Sequence, residues 1–427
     1  MKLSLNIISL ICLLNSFVFG QNDLNFYIDQ AKANSPLIKD TKNQNEASKI
    51  ELQRINALYT KPQITFNAAL AVAPIINFDN GKALFQVSPS DATNYQGYDI
   101  AASNGGVYQG MFNINQPLFN SGKLKMASEQ LAVAYQINQN TVKLSEHDLE
   151  KIVGDQYVLC LQDLKQRNYI DQLIQIISEQ KLVVNKLVEG GLLKQSDLLL
   201  VNIEQQTQLN NLEMYKATYR RDLMDLNILC GINDTGIVIL KDLDLSLNLN
   251  SMKSNFTEKF RIDSLNLLAS QKLFDLKYKP QLNAFANAGL NGVYVPTLPN
   301  RFGASAGLNF SVFIFDGKQK SLNKKKTDVL IRSTQSYRSN FITINAIRKN
   351  KLLGEITSLN ERITISNNQL KDYKQLLEYY KKEVITGQQS VTTYITTIKS
   401  LATLQRDFVL MQTNKQLLIN TYNYWNW

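Results

Sequence analysis

The chain carries a single histidine, three cysteines and two tryptophans in 427 residues, and each scarcity removes a class of function. One histidine, His147, cannot supply a multi-histidine metal centre, and no convincing Ser/His/Asp set forms around it. There is no Cys-x-x-Cys pair and no glycine-rich phosphate loop. The sequence is therefore read as a non-enzyme with no cofactor and no metal site. His147 lies within a helical stretch, as a packed or surface residue rather than a ligand. Cys12 falls in the amino-terminal apolar run, which leaves Cys160 and Cys230, too few for a disulfide framework. Both have apolar neighbours, so free buried thiols and a single bridge are both open. Beyond the first twenty residues no segment offers the 18 or so uninterrupted apolar residues of a membrane-spanning helix. A membrane crossing by this chain requires strands.

The formal charge of +10 includes Lys2. Most basic residues are scattered along helical stretches, the pattern of solvated faces rather than of a nucleic-acid surface. Met1-Lys2, the apolar run Leu3 to Phe19 and Gly20 read as a secretory signal peptide over 1–20, cleaved before Gln21. The alternative is an uncleaved membrane helix. Ile11 before Cys12 makes a poor lipidation site, so no lipid anchor is expected. Export argues further against nucleic acid as a partner.

What the sequence does contain is a duplicated stretch. Asn309 to Lys320, NFSVFIFDGKQK, converts an alternating run into a long charged helix, and Asn113 to Lys125, NINQPLFNSGKLK, does the same earlier. Pro117 and Gly122 in one copy, Asp316 and Gly317 in the other, mark the two strand-to-helix junctions. Lys61-Pro62-Gln63 and Lys279-Pro280-Gln281 precede them in register, which points to an internal repeat.

Between these landmarks the period is two. Ile64, Phe66, Ala68, Leu70 and Val72 alternate with more polar or small residues, and runs over 107–119, 281–294 and 302–315 do likewise, the last most regularly. The same alternation fits a soluble half-buried sheet. Residues 74–104, rich in Asn, Asp, Gly, Ser and Pro, read as a long loop. Asp23 to Tyr59 reads as helical with Asn34-Ser35-Pro36 as a capped start.

Each strand pair feeds a helix of about 67 residues, roughly 100 Å at 1.5 Å per residue, spaced like a packed coiled coil. Gly190-Gly191 and Gly387 turn these helices, and Ser196-Asp197 and Ser390 start the returning ones. The expected organisation is therefore a first repeat over 21–230, with strands at about 63–73 and 107–119 and a helical hairpin at about 123–230. A linker over 231–255 leads to a second repeat over 256–427, with strands at about 281–294 and 302–315 and a hairpin at about 318–427. Four strands cannot close a barrel, and an open edge cannot remain in lipid. The chain must assemble with copies of itself, in a number the residues alone do not fix.

The junctions ending in Gly122-Lys123 and Gly317-Lys318, with the hairpin returns GLLKQSDLL from Gly191 and GQQSVTTYI from Gly387, resemble the TolC-like outer-membrane efflux protein family over essentially the whole chain beyond the signal peptide. The resemblance implies a mostly α fold with a transmembrane β-barrel: a homotrimer whose 12-stranded barrel and α-barrel are completed by trimerisation. It implies an outer-membrane location in a Gram-negative bacterium and contact with outer-membrane lipid. A periplasmic adaptor (membrane fusion protein) and, indirectly, an inner-membrane pump would deliver small molecules or polypeptides to this passive exit duct. By the same resemblance the periplasmic gate lies at the hairpin tips, at Gly190, Gly191, Asp197, Gly387, Gln389, Thr393 and Thr396. Asp197 matches an acidic gate position; an ordinary helix cap is the other role open to it. Thr393 and Thr396 depart from an acidic ring, and Gln389 stands where a basic partner is expected. The rival reading is a periplasmic adaptor or structural protein of an export assembly, which normally has one hairpin and compact soluble β domains. Neither cargo nor adaptor is legible.

Overall fold

In the computed structural model, residues 23–87, 92–98, 106–250 and 254–427 are described. The expected signal peptide lies outside them, as do parts of the expected 74–104 loop and 231–255 linker. The described residues divide into two compact units, one within Met1–Lys42, Gln139–Lys259 and Tyr337–Trp427, the other within Asn43–Asn138 and Phe260–Ser336.

The second unit contains a four-stranded antiparallel sheet of β1 (Gln63–Val72), β5 (Gly106–Leu118), β6 (Gln281–Gly292) and β7 (Phe302–Ser311), in the order β1-β5-β6-β7. Its register carries the sequence alternation across every strand. Ile64 faces Ile114 and Phe66 faces Phe112; Ile114 faces Ala286 and Phe112 faces Ala288; Ala286 faces Ala306 and Ala288 faces Ala304. Because successive side chains point to opposite faces, these apolar rows share one side, and the row Thr65, Asn113, Asn287, Ser305 lies on the other. Both edge strands, β1 and β7, have a single neighbour within the chain.

Several bounds differ from the sequence expectation. The fourth strand, expected over 302–315, ends at Ser311, whose partner Gln281 is the first residue of β6. Pro280 before it has no N–H to extend the ladder. Pro117 stays within β5 opposite Asn283, beyond the last β1 pair at Gln63 and Asn115, so its missing donor faces no partner strand on that side. The 74–104 stretch is not wholly irregular: β2 (Ile75–Asn77), β3 (Leu84–Gln86) and β4 (Tyr95–Gln96) form a small separate sheet. Asp79 ties it together, accepting from the Thr93 hydroxyl at 2.7 Å and from the Thr93 and Asn94 N–H groups.

The first unit is helical. The stretch from Asp23 to Tyr59 is helical, in two helices, α1 (Leu24–Asn34) and α2 (Pro36–Thr60), and the second starts at the expected Asn34-Ser35-Pro36 cap and continues into the sheet-bearing unit. The residue before proline disfavours helical backbone, and the Asp23 carboxylate caps α1 through the Phe26 N–H. The long helices α3 (Ser121–Glu189) and α6 (Gln319–Ile385) start in the sheet-bearing unit and continue into this one, where α4 (Gln195–Cys230) and α7 (Val391–Trp425) return. α5 (Glu258–Asp275) leads, through a 3-10 turn, towards β6.

Three apolar clusters hold the helical unit. One joins α3, α4, α6 and α7 through Ile177, Val184, Val201, Leu377, Tyr394 and Ile398. A second gathers Tyr27, Tyr157, Tyr219 and Leu226 with Cys160 and Cys230, and both thiols are free and buried, so no bridge forms. The third unites Leu352, Ile356, Ile419 and Tyr422. The carboxyl-terminal aromatics are packed too: the His147 ring stacks on Tyr424 at 4.8 Å and on Trp427 at 4.2 Å.

The segment expected as a linker is a strap in its described part. It has no helix or strand over 232–250, yet side chains from the helices take up its backbone groups. The Tyr157 hydroxyl donates to the Lys241 carbonyl, Gln416 Oε1 accepts from the Leu245 N–H, and Asn423 bonds both the Ser246 carbonyl and the Asn248 N–H. Paired in this way, an irregular segment avoids the cost of orphaned backbone groups.

Candidate functional site

No helix of the described residues is long and apolar enough to cross a membrane, and no metal-binding cluster of His, Cys, Asp or Glu occurs among them. The two features that stand out as candidate sites are the two-faced sheet and the pair of helical tips.

On the polar face of the sheet, hydroxyls and amides lie side by side, with Ser305 Oγ donating to Asn287 Oδ1 at 2.8 Å. Small residues there admit neighbouring side chains. The Phe285 ring covers Gly307 so closely that a Cβ would sit 2.8 Å from its Cζ. On the opposite face Ile64, Phe66, Leu70, Phe302, Leu308 and Phe310 are all exposed. A stable soluble monomer rarely leaves so continuous an apolar surface in water.

The two tips are built alike. At the first, Gly191 takes φ 71°, its N–H donates to the Val188 carbonyl, and the Leu192 N–H reaches back to Leu187. At the second, Gly387 takes φ 73°, donates to Val384, and the Gln388 N–H reaches Glu383. Both are Schellman turns, in which a left-handed residue lets the chain satisfy the last helical carbonyls. Gly190 precedes the left-handed residue and does not adopt it.

The returning helices then start with complementary halves of a capping box. Asp197 accepts from the Lys194 N–H at 3.0 Å. At the same helical position in the second tip Thr393 donates its N–H to the Ser390 hydroxyl at 3.1 Å. Asp197 is thus the cap of its own helix and forms no ion pair among the described residues. Gln389 folds locally, its Oε1 accepting from the Ser390 N–H, while the Thr396 hydroxyl donates to the Thr392 carbonyl. The tips share one core, since Val184, Val201, Val384, Val391 and Ile395 belong to the same cluster.

Polar contacts that sequence reasoning missed join the hairpins above the tips. Lys381 pairs with Glu179 at 3.1 Å, and Lys399 reaches the buried Glu204 at 3.4 Å. Gln208 Nε2 adds a 2.7 Å bond to Glu204. Their periodicity is that of any charged helix face, so only packing reveals which pairs meet. Further up, the Glu150 carboxyl is held down to about 2 by the hydrogen bond to the His147 ring and then by the Lys32 ammonium.

The strand-to-helix junctions, expected to be equivalent, differ. In the first, Phe119 takes the positive φ of 56° and Gly122 lies inside the first turn of α3; in the second, Gly317 and Lys318 both do, at 63° and 68°. The side chain of Asn120 donates to the Tyr59 carbonyl in the first, whereas Asp316 accepts from the Lys320 N–H at 2.8 Å in the second. A glycine therefore makes the left-handed turn only at the second junction, and a nearby polar side chain, Asn120 or Asp316, braces each one.

A mostly helical chain with this four-stranded sheet and two long hairpins has the TolC-like fold, that of outer-membrane channels. The solved structures it resembles include the CmeC outer membrane channel of Campylobacter jejuni, at 12% identity and TM-score 0.66, covering 96% of this chain and 86% of that one. VceC, an outer membrane protein of Vibrio cholerae, gives 11% and 0.67, covering 94% and 96%. The open state of the MtrE outer membrane channel of Neisseria gonorrhoeae gives 11% and 0.64, covering 94% and 88%. No family model matches the sequence, and no curated protein matches it.

Proposed function

We propose that this chain is the subunit of an outer-membrane channel that serves as a passive exit duct. The observation that carries this reading is the sheet: apolar and exposed on one face, polar on the other, and unpaired at both edges within one chain. Lipid admits strands only when every edge is closed. Edges β1 and β7 of neighbouring copies satisfy one another, and three copies give a 12-stranded barrel whose polar rows line the lumen. The resemblance to channels named as outer-membrane proteins supports the location in a Gram-negative outer membrane.

In this reading α3, α4, α6 and α7 of each copy build a helical duct on the periplasmic side. Its tips meet a periplasmic adaptor that couples it to an inner-membrane pump. The duct binds and moves no proton or electron; its work is to hold a wet path and to close it. Closure belongs to the tips, where Asp197 is the one carboxylate in either returning turn, and a carboxylate ring in a pore favours cations. The domain division in this proposal is a repeat over 21–230 and another over 256–427, joined by the strap.

Conductance of the purified protein in a planar bilayer tests this, with Asp197→Ala beside the wild type. We expect small, cation-preferring currents that rise in the variant as the cap loosens and the carboxylate is lost. Unchanged currents would move the gate elsewhere, and a folded oligomer that never conducts would overturn the channel.

A further inference from the structure

Within the sheet-bearing unit, the strand ends that feed α3 and α6 carry an arrangement that barrel closure does not require. Register places both junctions at one end of the sheet, since Leu118 faces Leu282 and Ser311 faces Gln281. Three large apolar side chains there project into solvent. Phe119 is 87% exposed, Ile314 96% and Phe315 82%. They are therefore not folding-core residues, and Phe119 is held in a backbone conformation that phenylalanine rarely adopts.

Lysines lie on the aromatic rings of the same junctions. The Lys277 ammonium lies 4.0 Å from the Phe274 ring centroid and 4.9 Å from that of Tyr278, and Lys320 stands 5.4 Å from the same Tyr278 ring. Tyr278 in turn contacts Phe313 at 5.6 Å. Two ammonium groups thus share one aromatic platform, and the hydrogen-bond acceptor of Lys277 is a neutral amide, Gln319 Oε1 at 3.3 Å. At the other junction, Lys279 Nζ lies 3.8 Å from where a Gly122 Cβ would stand, over the first turn of α3. Lys123 sits 5.9 Å from the Tyr59 ring.

None of Lys123, Lys277, Lys279, Lys318 or Lys320 forms an ion pair among the described residues, whereas lysines of the helical unit such as Lys32, Lys381 and Lys399 do. The nearby carboxylates are otherwise engaged. Asp316 caps α6 through the Lys320 N–H and turns towards the Tyr278 hydroxyl at the ring's edge, and Asp275 accepts from Gln271. The positive ends of α3 and α6 point the same electrostatic way.

Exposed aromatic and aliphatic tips beside unpaired lysines match the chemistry of a bilayer interface. The rings enter the acyl boundary, and the ammonium groups stay with the headgroups. We propose that this end of the sheet is a collar for anionic phospholipid, with the phosphate held between Lys277 and Lys320 over Tyr278 and the acyl chains against Phe313, Ile314 and Phe315. The collar rests on the outer-membrane reading above and adds to it a lipid class. Its lipid lies in the leaflet nearer the helices.

The test uses the full-length oligomer in nanodiscs of phosphatidylcholine with phosphatidylglycerol admixed, counting retained lipid by native mass spectrometry. The wild type should retain phosphatidylglycerol several-fold over its share of the bilayer, and the excess should shrink as salt is raised. In the double variant Lys277→Gln, Lys320→Gln, checked for assembly on unheated gels, retention should fall towards parity. Parity in the wild type overturns the collar without touching the channel, provided the same preparation conducts. A chain that never enters the bilayer overturns both. Loss of the excess when soluble glycerol phosphate is added assigns the site to a free anion, and efficient cross-linking of Ile314→Cys to a second copy assigns the apolar patch to protein; either result overturns the lipid collar. The wild-type lipid and salt series decides the matter even where the variant fails to assemble.

Discussion

At the scale of single residues, Asp163 is the outlier of the helical unit. It is 4% exposed, and its Oδ2 has no hydrogen-bond partner. Burial, and then the neighbouring Asp222 carboxylate, push its carboxyl up to about 7. The unfolded chain ionises this group in the ordinary carboxylate range, so the folded state favours the proton. Stability from this residue is full at pH below that range, declines as pH rises and is gone above about 7. Asp163→Asn keeps the shape and removes the charge, and should raise stability at pH 8 by roughly 1–3 kcal/mol while changing little at pH 4. Urea unfolding at the two pH values checks both halves. Asp163 escaped the sequence reading because an aspartate on a charged helix looks solvated until its neighbours are known. Asp197 is the converse case: its helix-cap role was legible from its position after Gly190-Gly191, and its carboxylate does bond the Lys194 N–H.

At the scale of elements, two interior glycines of the long helices carry opposite expectations. In α3, Gly154 makes room for Asn420 of α7, whose Nδ2 donates to the Lys151 carbonyl at 2.9 Å and to Asp155 Oδ1 at 2.8 Å. A Cβ at Gly154 would lie 2.8 Å from that Nδ2. Gly154→Ala therefore gains helix propensity but displaces a partly buried polar link, for a net loss of about 1 kcal/mol. In α6, a Cβ on Gly354 meets nothing within 4 Å, so Gly354→Ala should stabilise by about 0.8–1 kcal/mol. Thermal melts of the two variants in parallel should move in opposite directions. The helices themselves were readable, because long stretches without proline and with coiled-coil spacing have few other outcomes. The small sheet of β2, β3 and β4 was not, since strands of two or three residues leave no period to detect and their pairing depends on Asp79 gathering Thr93 and Asn94.

At the scale of the whole molecule, neighbouring residues on β7 separate the two faces. Ala306 lies in the apolar row with Ala286, and Ser305 in the polar row with Asn287. If copies close into a barrel, Ala306→Arg places a guanidinium in lipid at a cost of about 2–4 kcal/mol near mid-membrane. It should therefore block the assembly of heat-resistant oligomers. Ser305→Arg should assemble normally and alter conductance and ion preference, because its side chain meets water. Gel mobility before and after heating, followed by bilayer recordings, distinguishes the two. Equal loss of assembly in both would mean that the sheet is packed on its two faces like a soluble one.

The sequence by itself determined the elements that arise from periodicity and local backbone chemistry. The alternation in β1, β5, β6 and β7, the lengths of α3 and α6, and the turns at Gly191 and Gly387 follow from neighbours a few residues apart. Their physics is local. Only the tertiary structure decided which strands are neighbours, that Cys160 and Cys230 are buried free thiols, that residues 232–250 are strapped down by Tyr157, Gln416 and Asn423, and that Phe119 rather than Gly122 takes the left-handed turn. Those outcomes depend on side chains brought together from positions far apart in the chain, and no local pattern records which of many equivalent polar and apolar groups will meet.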